Sequence, residues 1–366
     1  MKITVFGLTL SSSWGNGHAT PYRAILRGLH QLGHQVAFYE RDVEYYARRR
    51  DFTACDYSRL VLYPSWEEVR PWALAAAAAS DLVVTGSYLP EGSRINDELL
   101  ALPAPLHVFY DLDTPVTLAA LESGEVDYLR KDQIPAFDLY LSFTGGRILA
   151  ELERTWGARR ARPLYGCVDP EVHTRVPERP EFGCELSYMG TYAADRQPKL
   201  EELLLKPARA LPSRQFVLAG SLYPGQWQWP PNVKLFEHVA PAEHPFLYSS
   251  SRATLNLTRP GMAGRGGYCP SGRFFEAAAC GTPVVSDWFE GLDTFFVPGE
   301  EVLVVHTAEE VVGALASSGD ELCHLARRAR ERTLDEHTGW RRARQLLDYL
   351  SEGKELSNRI IGQSGN

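Results

Sequence analysis

The sequence predicts an α/β protein of two successive β-α-β domains that face each other across a cleft. Three observations carry this expectation. Short β-branched runs alternate with amphipathic stretches along most of the chain, a pattern that builds parallel sheets. Glycine-containing loops follow several of these runs, where open α/β sheets bind ligands. At 366 residues the chain also exceeds the usual size of one hydrophobic core. The expected division is a first domain over 1–168 and a second over 184–335. A C-terminal helix at 336–350 would return to the first domain, and a polar tail would fill 351–366.

Taken in order, residues 2–7 form a β-branched strand, followed by the loop LTLSSSWGNGHATP and the helical pattern Ile25, Leu26, Leu29 and Leu32. Thr20 is the expected cap of that helix and Pro21 its first residue, with Gly33 ending it before the strand QVAFYE. The loop contains Gly17 and His18 but neither a GxGxxG fingerprint nor a Walker motif, so it carries no nucleotide signature. His18 is a candidate general base or a backbone-bonded loop histidine. His30 and His34 have the spacing of a metal pair but no third ligand close in sequence, and they read as surface or packing residues.

Residues 43–60 are charged and contain ARRR; they read as a solvated helix face, with local phosphate contacts as the alternative. Strands follow at DLVVTGSY (81–88) and LHVFYDLDTPVTL (106–118), the second ending in Asp111 and Asp113. These two carboxylates suit acid-base roles or contacts to acceptor hydroxyls; alternatively, Asp113 caps the next helix. FDLYLSF (137–143) is a further strand, and scattered prolines mark the connection at 166–184.

The second domain restarts with CELSYMGTY, a helix containing Arg196 and Lys199, and the strand RQFVLAG. Trp227 and Trp229 either stack a base or cover a domain edge. After the strand ATLNLT, the loop RPGMAGRGGYCP places Arg259 and Arg265 among glycines, where backbone and guanidinium can approach an anion together. Thr307 caps a later helix, with Glu310 as its capping-box partner, and a final arginine-rich helical stretch breaks near Thr338 and Gly339.

The stretch YCPSGRFFEAAACGTPVVSDWFEGLDTFF (268–296) organises this domain. It reads as a short helix starting at Pro270 and Ser271, a turn at Gly281 and Pro283, and the strand VVSD. The unpaired N–H groups of its first turn, near Ser271 and Gly272, suit an anion. Glu276 is discordant among small and apolar neighbours. It either accepts hydrogen bonds from sugar hydroxyls or pairs with Arg273 on a wet face.

Composition bounds the function. A formal charge of -8 opposes broad affinity for nucleic acid or anionic membranes. Six cysteines without CxxC spacing read as reduced thiols of a cytoplasmic chain. MKITVFGLTL fits a buried strand better than a signal peptide, and no apolar run is long enough to span a membrane.

Several of these motifs together resemble one family: GNGHATP with LGHQVAFYE, HVFYDLDTPVTL, LYGCVDPEVH, YMGTYAADRQPKL, FVLAGSLYP, LNLTR with PSGRFFEAAACGTPVVSD, and GLDTFFVPGEE. The chain is similar to twin-Rossmann glycosyltransferases of the GT-B type, and within them to the group-one-like family that includes the spore-maturation protein CgeB. The resemblance implies a nucleotide-sugar donor, UDP-, GDP- or dTDP-linked, on the C-terminal domain and a small-molecule or glycan acceptor on the N-terminal one. It implies that Glu276 holds ribose or sugar hydroxyls and that Ser271, Gly272 and Arg273 face the diphosphate, with Arg196 and Lys199 nearby. Tyr268 stands where relatives commonly carry a second carboxylate, so the stereochemical course stays open.

No cofactor or metal ion is required for that chemistry, and DLD at 111–113 lies on the acceptor side. His18 or Asp113 would deprotonate the acceptor in an inverting reaction. The rival expectations are an epimerase or hydrolase of the same fold, a non-catalytic nucleotide-sugar-binding module, and a DNA-base glucosyltransferase.

Overall fold

The computed structural model describes residues 1–363 apart from 104, 125 and 226, with side chains as far as residue 353. The chain divides into two units. The first comprises Met1–Trp14, Pro21–Tyr165 and the segment from Gly339 onward; the second comprises Gly15–Thr20 and Gly166–Thr338.

The first unit is a seven-stranded parallel sheet: β1 (Lys2–Gly7), β2 (Gln35–Arg41), β3 (Arg59–Tyr63), β4 (Leu82–Gly86), β5 (Leu106–Asp111), β6 (Leu139–Ser142) and β7 (Ala161–Pro163). They lie in the order β3-β2-β1-β4-β5-β6-β7. The central strands are mostly apolar because both faces are covered, as in parallel sheets generally, with the buried Asp111 closing β5. Phe6, Tyr39, Val83 and Trp66 pack in one core cluster, and Phe109, Tyr140, Leu118 and Leu152 in another.

Two strands here escape the sequence reading. Most of 43–60 is not helical: only Glu44–Ala47 is, and the charged segment leads into β3, an edge strand whose exposed positions blur its pattern. At the other edge, β7 is three residues long and contains a proline, as edge strands tolerate. The first helix starts at Ala19, so Thr20 lies inside it. Asn16 Oδ1 accepts the N–H groups of His18 and Ala19 at 3.0 and 3.4 Å in place of the expected threonine cap.

The C-terminal helix Gly339–Gln363 belongs to this unit. It runs past 350, and the side chains of the expected polar tail from 354 on lie outside the described residues. Its start sits against the first helix at two glycines. A Cβ on Gly339 would lie 2.1 Å from Ala24 O, and one on Gly28 2.5 Å from Gly339 O, so the backbones touch where only hydrogen fits.

The second unit has six parallel strands: β8 (Cys184–Met189), β9 (Phe216–Ala219), β10 (Val233–Phe236), β11 (Ser251–Asn256), β12 (Val284–Ser286) and β13 (Leu303–Val304). Their order is β10-β9-β8-β11-β12-β13. Leu186, Phe216, Leu255 and Val285 share its main core cluster with Leu200, Leu203 and Leu204 of the helical segment after β8. β10 was not distinguished from its loop in the sequence, being four residues on an edge with two exposed. Thr307 caps helix Ala308–Leu315, but the Glu310 carboxylate turns to the N–H of His306 at 2.6 Å and completes no box with Thr307. Among the described residues no helix is long and apolar enough to cross a membrane.

Candidate functional site

In the second unit the strand order reverses beside β8, with β9 on one side and β11 on the other. Such a switch point opens a crevice beyond the strands' carboxyl ends. The segments that leave these ends, Gly190–Tyr192 after β8 and Leu257–Arg259 after β11, approach helix Gly272–Ala279. Ser271 is the N-cap of that helix, but its hydroxyl donates to Asn256 Oδ1 at 2.6 Å and makes no cap bond. The N–H groups of Gly272 and Arg273 therefore keep their capacity for an anion, while that of Phe274 donates to Ser271 O at 3.1 Å.

Arginines gather at the same place. Arg196 is buried, donates to the Thr191 carbonyl at 2.5 Å and lies 5.9 Å from the Tyr188 ring centroid. Arg273 lies 5.4 Å from that centroid and donates to Leu257 O at 3.3 Å. A Cβ on Gly190 would be 3.2 Å from the Arg273 guanidinium, so the glycine leaves the arginine its place. Burial, and after it the charge of Arg273, lowers the pKa of Arg196. Among the described residues neither guanidinium meets a carboxylate at salt-bridge distance.

The other expected cations are differently engaged. Lys199 pairs with Asp287 and donates to Thr258 O at 3.1 Å. Arg259 stands 3.4 Å from Asp195, and Arg265 is half-buried in the loop after helix Pro260–Ala263. Trp227 and Trp229 pack edge-on with Tyr192 and Tyr223, with centroids 5.3 to 5.7 Å apart for the pairs Tyr192–Trp227, Trp227–Trp229 and Tyr223–Trp229.

Glu276 is not paired with Arg273 on a wet face. It is buried, accepts the Tyr248 hydroxyl at 3.1 Å, and has His244 Nδ1 at 3.5 Å and His173 Nε2 at 4.0 Å. Burial pushes its carboxyl upward, but His244, His173 and Tyr248 together outweigh burial and hold it below the ordinary carboxylate range. His173, equally enclosed, is pushed the other way: burial lowers it against the pull of Glu276, which keeps the ring neutral near pH 7. Neither histidine was singled out in the sequence, where they stand far from Glu276 and from each other. The pair noted there, His30 and His34, does not form a site: His30 is exposed, and His34 Nδ1 meets the N-terminus at 2.9 Å.

Tyr268 takes a left-handed backbone, φ 46°, and its ring lies where a Cβ on Gly291 would fall within 2.4 Å. That packing holds the phenol in place against the turn.

In the first unit the loop after β1 is held by a residue the sequence reading left as the end of a strand. Glu40 is fully buried. Its carboxylate accepts the Thr9 hydroxyl at 3.0 Å, the Leu10 and Ser11 N–H groups at 2.7 and 2.8 Å, and the Ser11 hydroxyl at 2.6 Å. Asp111 is likewise enclosed: Tyr140, Thr117 and the Asp113 N–H donate to it at 2.6, 2.8 and 3.1 Å. Burial, partly offset by these donors, raises its pKa to about 6. Asp113 sits at the N-cap of helix Thr114–Ser123, yet its side chain makes no cap bond. Gly17 and His18 lie in Gly15–Thr20, which groups with the second unit; His18 is buried just before the first helix, and a Cβ on Gly17 would meet nothing within 4 Å.

Residues 196–348 match the family model described as "Glycosyl transferase-like". No curated protein is a significant sequence match. Among solved structures, the chain is similar to sucrose-phosphate synthase from Thermosynechococcus elongatus, with 15% identity over 99% of this chain and 100% of that one, TM-score 0.65. It is similar to an alpha-glucosyltransferase in complex with UDP-glucose and DNA, with 14% identity over 96% and 99% of the two chains, TM-score 0.73. A third is Anabaena HepE in complex with UDP and glucose, at 12% identity over 96% and 100%, TM-score 0.63. The matched segment is a glycosyltransferase-type domain, and the chain has the GT-B fold of two parallel-sheet Rossmann-like domains.

Proposed function

We propose that this GT-B chain transfers a sugar from a nucleoside diphosphate donor to an acceptor hydroxyl or amine, and that its second unit binds the donor. One observation carries the reading: Arg196 and Arg273 converge on Tyr188 beside a helix start without a carboxylate between them. Two guanidiniums drawn to one ring, Arg196 buried and Arg273 half-buried, repel unless an anion joins them, and a diphosphate supplies that anion. The bond from the anomeric carbon to the distal phosphate oxygen breaks as the acceptor attacks. The charge that develops on the departing diphosphate is then held more tightly in the transition state than in the ground state.

Glu276 receives ribose or sugar hydroxyls, and Ser271 and Gly272 supply the backbone against the phosphates. Arg259 and Arg265 close the loop side, with Lys199 held ready by Asp287. UDP is the donor nucleotide to try first, because structural neighbours of the same fold were solved with UDP or UDP-glucose. His18 takes the acceptor proton if the reaction inverts. If it retains configuration, the leaving phosphate takes it, with His18 and Asp113 orienting substrates and Gly17 and Asp111 shaping the acceptor side. No divalent ion is used in the transfer step.

The acceptor is a small molecule or glycan, since a net charge of -8 disfavours a nucleic-acid backbone. The unpaired state of all six cysteines supports a reducing, cytoplasmic setting. A donor screen with UDP-, GDP- and dTDP-sugars, with and without an acceptor panel that includes hydroxymethylated DNA, tests the reading. Acceptor-dependent nucleotide release supports transfer. Acceptor-independent release points to a hydrolase or epimerase, and tight binding without turnover points to a binding module.

A further inference from the structure

Three side chains of metal-ligand type come together in the second unit. His173, His244 and Glu276 bring their ligand atoms within 4.8 Å of one another, from three separate segments. His173 follows a turn in which its N–H bonds Asp169 O at 2.7 Å, His244 opens helix His244–Ser249, and Glu276 lies on helix Gly272–Ala279.

Ordinary hydrogen bonding does not account for the cluster. His173 is only 3% exposed, yet neither of its ring nitrogens has a hydrogen-bond partner. Buried polar atoms rarely stay in that state, because losing water without a replacement costs about 1–3 kcal/mol each. His244 is constrained differently. Its Nε2 meets Val239 O at 3.2 Å, and since a carbonyl only accepts, Nε2 carries the proton. In the neutral ring Nδ1 then holds a lone pair facing the Glu276 carboxylate 3.5 Å away. Two lone pairs opposed in a buried site call for a positive charge between them. A proton on His244 would answer that one contact and leave His173 unanswered. A cation bound by all three answers the opposed lone pairs and engages Nε2 of His173, leaving only its Nδ1 without a partner.

We propose that His173, His244 and Glu276 form a binding site for a divalent transition-metal ion of the zinc class. Two imidazoles and a carboxylate suit zinc and exclude magnesium and calcium, which take oxygen ligands. Ligands around a tetrahedral zinc stand about 3.3 Å apart; the contacts to Glu276 are 3.5 Å to Oε2 and 4.0 Å to Oε1, and the three ligand atoms, all within 4.8 Å of one another, draw inward by up to about 1.5 Å to meet that spacing. The surroundings are those of a metal-bound histidine and carboxylate. The far nitrogen of His244 is fixed by a backbone carbonyl, and the Tyr248 hydroxyl supports Glu276 Oε2 at 3.1 Å. The fourth position is left for water or a ligand hydroxyl. The ion ties three segments together beneath the helix start. Because Glu276 also serves the donor in the reading above, metal and donor occupancy are coupled through this side chain.

The test uses the full chain, stripped with chelator and titrated with Zn2+ and with Co2+. The expected result is about one equivalent bound, with the intense visible bands of four-coordinate cobalt. His173→Ala and His244→Ala should each weaken Zn2+ binding by about 100-fold or more, while Tyr248→Phe, which touches no ligand atom of either histidine, should weaken it by about 10-fold or less. If a histidine variant fails to fold, anomalous diffraction at the zinc edge from wild-type crystals decides the matter, with a peak expected among the three side chains. Absence of binding at micromolar Zn2+, affinity unchanged in both histidine variants, or a zinc peak elsewhere overturns the proposal. UDP binding measured on the metal-free protein keeps the outcomes separate: retained UDP binding without metal binding rejects the metal site alone, and the converse rejects the donor reading alone.

Discussion

Tyr248 donates its buried hydroxyl to Glu276 Oε2 across 3.1 Å and, after the larger effects of His244 and His173, helps keep ionised a carboxylate that burial would otherwise neutralise. The sign of the consequence follows from the direction of the shift. With the folded value near 2 against an ordinary 4.5, the ion contributes stability above about pH 4.5 and loses it as the pH falls toward 2. In metal-free protein the stability advantage of wild type over Glu276→Gln should shrink by about 3 kcal/mol over that interval. Urea unfolding of both proteins between pH 5 and 2 would check it, and parallel curves would contradict it.

Asp111 predicts the opposite slope. Its folded pKa of about 6 exceeds the ordinary 3.8, so its contribution is complete below about pH 3.8 and is lost as the pH rises through 6. The groups that face it are Tyr140, Thr117, the Asp113 N–H and the Asp113 charge, with the phenols of Tyr22, Tyr88 and Tyr128 also within its field. Asp111→Asn should gain on wild type by about 3 kcal/mol between pH 4 and 7, measured by the same unfolding series.

Glu40 organises the loop after β1 through four accepted hydrogen bonds. Glu40→Ala would leave those buried donors unsatisfied, at a cost of about 3 kcal/mol or more. The amides of Leu10 and Ser11 should exchange with solvent faster by hydrogen–deuterium exchange, with the change confined to the loop if the rest of the unit stays folded.

Gly339→Ala places a Cβ 2.1 Å from a backbone oxygen that cannot rotate away. The expected loss is about 2–3 kcal/mol, visible as a lower midpoint in thermal unfolding and as faster proteolysis at the start of the C-terminal helix.

The strands that the sequence shows clearly are those buried on both faces, such as ITVFG in β1 and LVVTG in β4, whose apolar runs are interrupted only by one buried threonine each. The edge strands β3, β7 and β10 hide because exposure on one side erases the pattern. The site divides in the same way. Glu276 stands out because a carboxylate among alanines and phenylalanines is locally discordant. Its partners His173 and His244 do not, because only the fold brings their segments to it. Glu40 resembles any strand-end glutamate until the loop folds back over its carboxylate. Asp113 has a cap's position without a cap's hydrogen bond, a distinction of side-chain rotamer that spacing cannot express.

If Arg196 and Arg273 hold a nucleoside diphosphate between them, as proposed, nucleotide affinity depends on both. Calorimetric titration of UDP, GDP and dTDP into wild type, Arg196→Ala and Arg273→Ala tests it most directly. At least one nucleotide should bind wild type, and each variant should bind it about 10- to 100-fold more weakly while remaining folded. Failure of all three nucleotides to bind wild type, or undiminished binding by both variants, would contradict it.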